Sequence, residues 1–328
     1  MTTAWPRPLV VVLGASGLLG SAIAGQLAAR PVRLRLVGRR VTPLPDRVRA
    51  EVDVRQADLT EPAAVAAAAT DADAIVHLVA HTTGTGAWRS AEHDDTAERG
   101  NVGVLCELIK AVAAQLRPQP PTVLFSGSVS QAGRPQSARL TERESDRPET
   151  GYDRHKLAAE RALLAATEAG IVRGASLRLS TLFGQGTVPN VVDRGVVATM
   201  MHRAFAGEPL TMWNDGSVRR DLLCVDDAAN AFVRALECAQ ALSGRHWLVS
   251  SGRTVSVGEL FTAIATTVAD HTGRPPVPVR SVPPPAESIA ADLVDFAPDP
   301  SAFVAATGWR AQVPLQNALE RLAAAITR

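Results

Sequence analysis

The segment Thr150-Gly-Tyr-Asp-Arg-His-Lys156 holds the one tyrosine of the 328-residue chain and one of its two lysines, the other being Lys110. Elsewhere basic positions are filled by arginine, so a lysine four residues after Tyr152 calls for a chemical reason. On a helix that spacing sets both side chains on one face. A phenol that titrates near 10 is a poor acid-base group at neutral pH, and moving it by three units takes about 4 kcal/mol. A nearby ammonium would supply such a shift by favouring the phenolate. Arginine would bring the charge, but not a compact ammonium that can also bond a ribose hydroxyl.

A second chemical pattern lies near the N-terminus. Gly14, Gly17 and Gly20 are spaced between a β-branched run, Leu9 to Gly14, and a segment with apolar residues at helical spacing. Glycines there let the backbone turn tightly against a pyrophosphate, whose charge the helix N-terminus then stabilises. Arg7 and the apolar stretch after it superficially resemble a short signal peptide, but the three glycines fit a strand-to-helix turn better. The next strand ends in Val37-Gly38-Arg39-Arg40. A site for NAD places an acidic residue near this point, whereas a 2′-phosphate needs cationic donors. Arg39 and Arg40 therefore point to NADPH.

Elements that could position these groups alternate along the first half. Segments 32–40, 73–80, 122–128 and 173–181 read as strands with helical stretches between them. That alternation predicts an α/β fold, a doubly wound parallel sheet of Rossmann type. Ligands gather beyond the carboxyl ends of such strands. After about residue 180 the alternation fades and glycine and proline multiply, although 219–237 again reads as strand then helix. We expect residues 1–180 and 221–243 to form the NADP-binding domain, and 181–220 with 244–328 a smaller substrate-binding region.

Composition bounds the partners. With 46% hydrophobic residues, 20% charged and a net charge of +1, the chain has no basic footprint for nucleic acid or an anionic membrane. A small molecule is the expected partner. Cys106, Cys224 and Cys238 are too few and too irregular for a disulfide framework or a zinc site, and no metal is expected. They fit a reducing cytosol. No apolar run is long enough for a membrane helix, so the protein is expected to be cytoplasmic.

Together these motifs resemble the extended short-chain dehydrogenase/reductase family over nearly the whole chain. The resemblance rests on Gly14-x-x-Gly17-x-x-Gly20, Asp58-Leu59, Asn101, a serine before the tyrosine, Tyr152-x-x-x-Lys156, and Arg220-Asp221 followed by Val225-x-Asp227. It implies that Ser128, five residues before Gly133, holds a substrate carbonyl, with Ser126 and Ser130 close enough to compete for that role. It implies cofactor contacts from Gly14, Ser16, Gly17, Leu18, Gly20, Arg39, Arg40, Asp58, Leu59, Ala80, Tyr152 and Lys156, with Asp58 at the adenine. Asn101 would support the helix behind the site. Arg220 would contact the diphosphate of a nucleotide-linked sugar, unless it instead pairs with Asp226 or Asp227, and Arg194 is a weaker candidate for the same ligand.

Within that family a sugar-nucleotide dehydratase carries an Asp-Glu pair after its catalytic threonine, and Val129 and Ser130 stand in those places here. An epimerase that recycles bound NAD is disfavoured by Gly38-Arg39-Arg40. The chain is most similar to 4-ketoreductases that complete dTDP-linked 4-keto-6-deoxyhexoses for glycosylated antibiotics, which fits an alanine- and arginine-rich, lysine-poor composition. A reductase of a non-sugar ketone and a non-catalytic NADP-binding sensor are the alternatives; sensors typically lose the tyrosine or the lysine. Trp213 could stack on a base, though plain packing is the better reading. His81 could line the site or be an ordinary loop residue. Apolar residues on more than one face of 101–116, and the alanine-rich helix after Tyr152, suggest a homodimer through these helices.

Overall fold

Leu9-Val-Val-Val-Leu13 forms strand β1, and all five residues are buried, as befits a strand covered on both faces. The computed structural model describes residues 7–81, 95–137, 139–185, 193, 195–286 and 288–327. The further strands are β2 Arg33–Gly38, β3 Glu51–Gln56, β4 Ala74–His77, β5 Thr122–Ser128, β6 Arg173–Leu179, β7 Thr181–Phe183, β8 Leu210–Trp213, β9 Arg219–Cys224, β10 His246–Val249, β11 Thr254–Ser256 and β12 Val279–Val282. The main sheet runs β10-β6-β5-β4-β1-β2-β3, and every pairing in it is parallel. Its order reverses between β1 and β4, where a ligand crevice is expected.

One core, with Ile23, Leu34 and Phe232, fills the face covered by helices Leu18–Ala28 and Val225–Glu237. The opposite core, with Val11, Leu108 and Leu163, packs under helices Pro62–Ala69, Val104–Ala113 and Gly151–Glu168. The helix at 225–237 thus returns the chain to the main sheet after an excursion. A third core, around Phe183, Met201 and Phe261, belongs to a smaller region. There β11, β9 and β7 form a three-stranded sheet, and β12 pairs with β8.

Two elements depart from the expectation. β3 lies on the sheet edge and its residues are half-buried or exposed, so the weakly alternating Glu51–Gln56 carries little strand signal. β10 lies in the stretch expected to belong to the substrate region, yet it pairs in parallel with β6 and closes the other edge of the main sheet. In its buried run Trp247 and Val249 enter the main core, and Leu248 joins a small cluster with Val129, Ala132, Leu140 and Phe296.

Candidate functional site

The β1 turn is built as a cradle. Gly14 has φ +87°, and its N–H and that of Ala15 donate to the Val37 carbonyl at 2.9 and 3.1 Å. A Cβ on Gly20 would sit 2.2 Å from the Gly14 carbonyl oxygen, so only glycine lets the helix begin this close. Gly17 caps that helix without a side-chain acceptor and its first turn has no acidic residue. The first helical N–H groups therefore face outward for an anion. The end of β2 meets the same loop: a Cβ on Gly38 would lie 2.7 Å from Ser16 Oγ, and Arg40 Nη2 donates to the Ser16 carbonyl at 3.2 Å. Arg39 and Arg40 are exposed beyond it. These residues fit a nicotinamide dinucleotide.

Asp58 is exposed, and Leu59 beside it is buried. Hydrogen bonds from the Thr60 N–H and hydroxyl, at 3.0 and 2.8 Å, hold the Asp58 carboxyl below the ordinary range, with Arg39 adding a little. Ala80 borders the cleft. Asn101 is buried in a short π-helix, Arg99–Gly103, where its Oδ1 accepts from His81 N at 2.7 Å and its Nδ2 donates to the His81 carbonyl at 3.3 Å. It pins the chain as it leaves β4. His77, one strand position from the crevice, is wholly buried against Phe125; burial and then the Lys156 charge push it down to about 3, so it stays neutral.

Tyr152 and Lys156 stand on the first turns of helix Gly151–Glu168, which starts at a reciprocal cap between Thr150 and Asp153. The lysine ammonium donates to the Ser126 carbonyl at 2.8 Å and lies 4.8 Å from the Phe125 ring centroid and 5.8 Å from that of Tyr152. Burial lowers it to about 8. The expected lysine-driven depression of the phenol is absent. Burial, and after it the Asp153 carboxylate, push the Tyr152 phenol up, because the ammonium is turned toward a carbonyl while the ring sits in a poorly solvated wall. A phenol that keeps its proton is a donor, which suits the acid in a reduction.

The three neighbouring serines are distinguished by what each is bonded to. Ser126 offers Lys156 its carbonyl, and the Ser130 hydroxyl donates to Asp153 Oδ1. Ser128 Oγ lies 2.7 Å from Ser130 Oγ and accepts from Ser130 N at 3.3 Å, while its own N–H donates to Gln131 Oε1 at 2.7 Å. It lines the cleft with Tyr152 and Lys156.

A buried ionic group beneath them was not foreseen from the sequence. Arg178 forks onto Asp146 at 2.6 and 2.9 Å, and its Nε donates to Glu160 Oε2 at 3.0 Å. Glu160 also accepts from Ser176 Oγ at 2.6 Å and Gln131 Nε2 at 3.1 Å. Thus the glutamine that holds Ser128 is itself held by the Glu160–Arg178 pair. An arginine inside an apolar strand, and a glutamate four residues after Lys156 on the same helix face, are the signals that mark this group.

On the far wall of the cleft Arg220 appears with Thr181, Thr199 and Phe296. It does not pair with Asp226 or Asp227: Asp226 bonds Arg321, and Asp227 accepts from the N–H groups of Gln312 and Val313. Instead the Arg220 guanidinium donates to the carbonyls of Ala291, Asp292 and Val294, at 3.1, 2.7 and 2.6 Å. Arg194 lies outside the described residues. Trp213 ends β8, half-buried and away from the cleft lining. Among the described residues no cluster of histidine, cysteine or carboxylate is placed to hold a metal, and no helix is long and apolar enough to cross a membrane.

Residues 10–250 match the model of the NAD dependent epimerase/dehydratase family. The chain is 26% identical to a dTDP-L-rhamnose 4-epimerase of Burkholderia thailandensis, over 95% of this chain and 93% of that protein. It is 31% identical to a dTDP-6-deoxy-L-talose 4-dehydrogenase (NAD(P)(+)) of Kitasatospora kifunensis, over 63% and 64%. Its fold matches that of MoeE5, solved with UDP-glucuronic acid and NAD, with a TM-score of 0.77 at 23% identity, over 98% and 99% of the two chains.

Proposed function

The chain belongs to the NAD dependent epimerase/dehydratase family, and we propose that it is a cytoplasmic reductase that uses NADPH to convert the C4 ketone of a dTDP-linked 4-keto-6-deoxyhexose to the hydroxyl, as a step in deoxysugar biosynthesis. The observation that carries this reading is the end of β2, where Gly38 abuts the phosphate loop and two exposed arginines follow. Such an end suits a cofactor that is bound, spent and exchanged, as a net reduction requires. NADPH supplies the hydride when bound. Gly14, Ser16, Gly17, Leu18 and Gly20 would hold its pyrophosphate, Arg39 and Arg40 its 2′-phosphate, and Lys156 the nicotinamide ribose. Tyr152 gives a proton to the developing alkoxide, and Ser128 fixes the carbonyl oxygen. Arg220, and Arg194 with it, would meet the diphosphate. The dTDP-6-deoxy-L-talose 4-dehydrogenase supports C4 of a dTDP-deoxyhexose as the reacting centre.

NADPH oxidation with dTDP-4-keto-6-deoxyglucose, against free sugars and apolar ketones, tests the reading. Turnover of apolar ketones alone removes the sugar nucleotide. In calorimetric titration Arg39→Ala weakens NADPH by roughly ten- to a hundredfold, the worth of one charge-assisted hydrogen bond, and leaves NADH nearly unchanged. Equal binding of both cofactors by the unaltered protein argues for the second reading, a 4-epimerase, which the Burkholderia relative favours. Such an enzyme would be purified with NAD bound and would interconvert C4 epimers without net oxidation.

We also propose a homodimer through helices Val104–Ala113 and Gly151–Glu168, whose outer faces carry exposed Ala113, Ala158 and Ala165. Light scattering at micromolar concentration should give twice the chain mass; a monomer mass removes the proposal.

A further inference from the structure

One carboxylate beside the site has no assigned part in this chemistry. Asp153, 3% exposed, follows Tyr152 and is linked to Ser128 through the Ser130 hydroxyl. Its Oδ2 accepts from the Thr150 hydroxyl at 2.6 Å and from Thr150 N at 3.3 Å, and the Thr150 hydroxyl oxygen accepts from Asp153 N at 3.1 Å. Its Oδ1 takes the Ser130 hydroxyl, whose oxygen lies 2.7 Å from Ser128 Oγ.

Each serine has one proton to give, so the series has a direction. With Asp153 ionised, the carboxylate can only accept. Ser130 then gives its proton to Asp153, Ser128 gives its own to Ser130, and Ser128 presents a lone pair to the cleft. A lone pair suits an alcohol and repels a ketone oxygen. With Asp153 protonated on Oδ1 the series reverses, and Ser128 turns its proton toward the cleft. We propose that Asp153, acting through Ser130, sets the direction of the Ser128 hydroxyl and so selects between binding a ketone and binding an alcohol. Asp153 is a positioning residue, and the inference rests on the reading above that Ser128 meets the substrate oxygen. The balance of the reduction is unaltered: the hydride goes to carbon from NADPH, and the proton goes to oxygen from Tyr152.

The surroundings support a carboxyl that takes up a proton. Burial raises Asp153 above the ordinary carboxylate range, the bonds from Ser130 and Thr150 offset part of this, and Glu149 adds to it. Among the described residues no cation pairs with it. β5 and the turn of Ser130 bring only hydroxyls and the Gln131 amide. On its own helix the titratable neighbours are Tyr152, which keeps its proton, His155, and Lys156, which titrates at about 8. Of the other packed elements, β6 brings Arg173 and Arg178, the latter held by Glu160 and Asp146, the π-helix brings Arg99, and helix Val104–Ala113 brings Glu107 and Lys110, paired with each other.

The test compares the full chain with Asp153→Asn and Ser130→Ala. In the asparagine variant the side-chain oxygen can take both Thr150 donors and its amide can donate to Ser130, which fixes the ketone-binding direction and keeps the helix cap. Ser130→Ala cuts the series without touching the cap. The unaltered enzyme should lose kcat/KM for ketone reduction by on the order of tenfold or more as Asp153 ionises, since a donor at the carbonyl oxygen is withdrawn. Both variants should lack that limb and retain only the one from Lys156. Independently, infrared difference spectra should show a carboxylic C=O stretch that fades over the same pH window and is absent from Asp153→Asn. An unchanged limb in Asp153→Asn, or no such band at any pH, overturns the proposal. A band that titrates in an enzyme that reduces no ketone at any pH overturns the reductase reading instead, and with it the role given to Ser128.

Discussion

Tyr152→Phe should lose at least about 10²-fold in turnover while still binding NADPH, the loss typical of a deleted general acid. The ring is retained, so the wall of the cleft keeps its shape. The Lys156 ammonium is anchored on the Ser126 carbonyl and over Phe125 rather than on the phenol, so it stays in place to meet the cofactor. What disappears is one proton aimed at the alkoxide. Because burial and Asp153 push the phenol up, the residue is protonated throughout the neutral range. Raising pH therefore does not remove the acid for reduction, whereas alcohol oxidation needs the phenolate and should speed up with pH. Steady-state rates with calorimetric NADPH titration check this. A near-normal rate in Tyr152→Phe places the acid elsewhere.

The parts of the site legible in the sequence are those where backbone or composition leaves few options. Gly14 and Gly20 were readable because a left-handed turn and a close helix start admit only glycine. Tyr152 and Lys156 were readable as rare residues at a one-turn spacing on a strongly patterned helix. The direction of the tyrosine's shift was not readable. It depends on where the ammonium finds its acceptor, and the Ser126 carbonyl that decides this comes from a strand 30 positions away. The same holds for Asp153 and Arg178, whose roles arise from partners on other elements. Nearness in sequence suggests Asp226 or Asp227 as an alternative partner for Arg220, but the protein uses both aspartates elsewhere. β10 joins the main sheet rather than the smaller region expected for 244–328, because four residues cannot show which sheet they join.

Arg178→Met should destabilise the protein by about 3–5 kcal/mol, the penalty for removing one partner of a buried ion pair. Arg178 and Glu160 are each 2% exposed at the side chain, and Asp146 is 17% exposed. Methionine fills much of the volume, so the loss is electrostatic more than steric. Two carboxylates then face each other across the space the guanidinium held. Asp146 can turn toward water, but Glu160 is left with the Ser176 hydroxyl, the Gln131 amide and the His246 ring at 3.7 Å. Since Gln131 also receives the Ser128 N–H, the disturbance should reach Ser128 and, if the proposed role holds, lower activity in the molecules that remain folded. Removing the second charge should then repair part of the first loss: Arg178→Met with Glu160→Gln is expected to be more stable than the sum of the single changes predicts, because neither charge is buried alone. Urea unfolding of the four proteins measures that coupling. A single variant within about 1 kcal/mol of the unaltered protein, or strict additivity in the pair, would mean that solvent already reaches Glu160 and that this ionic group does not hold β5, β6 and the tyrosine helix together.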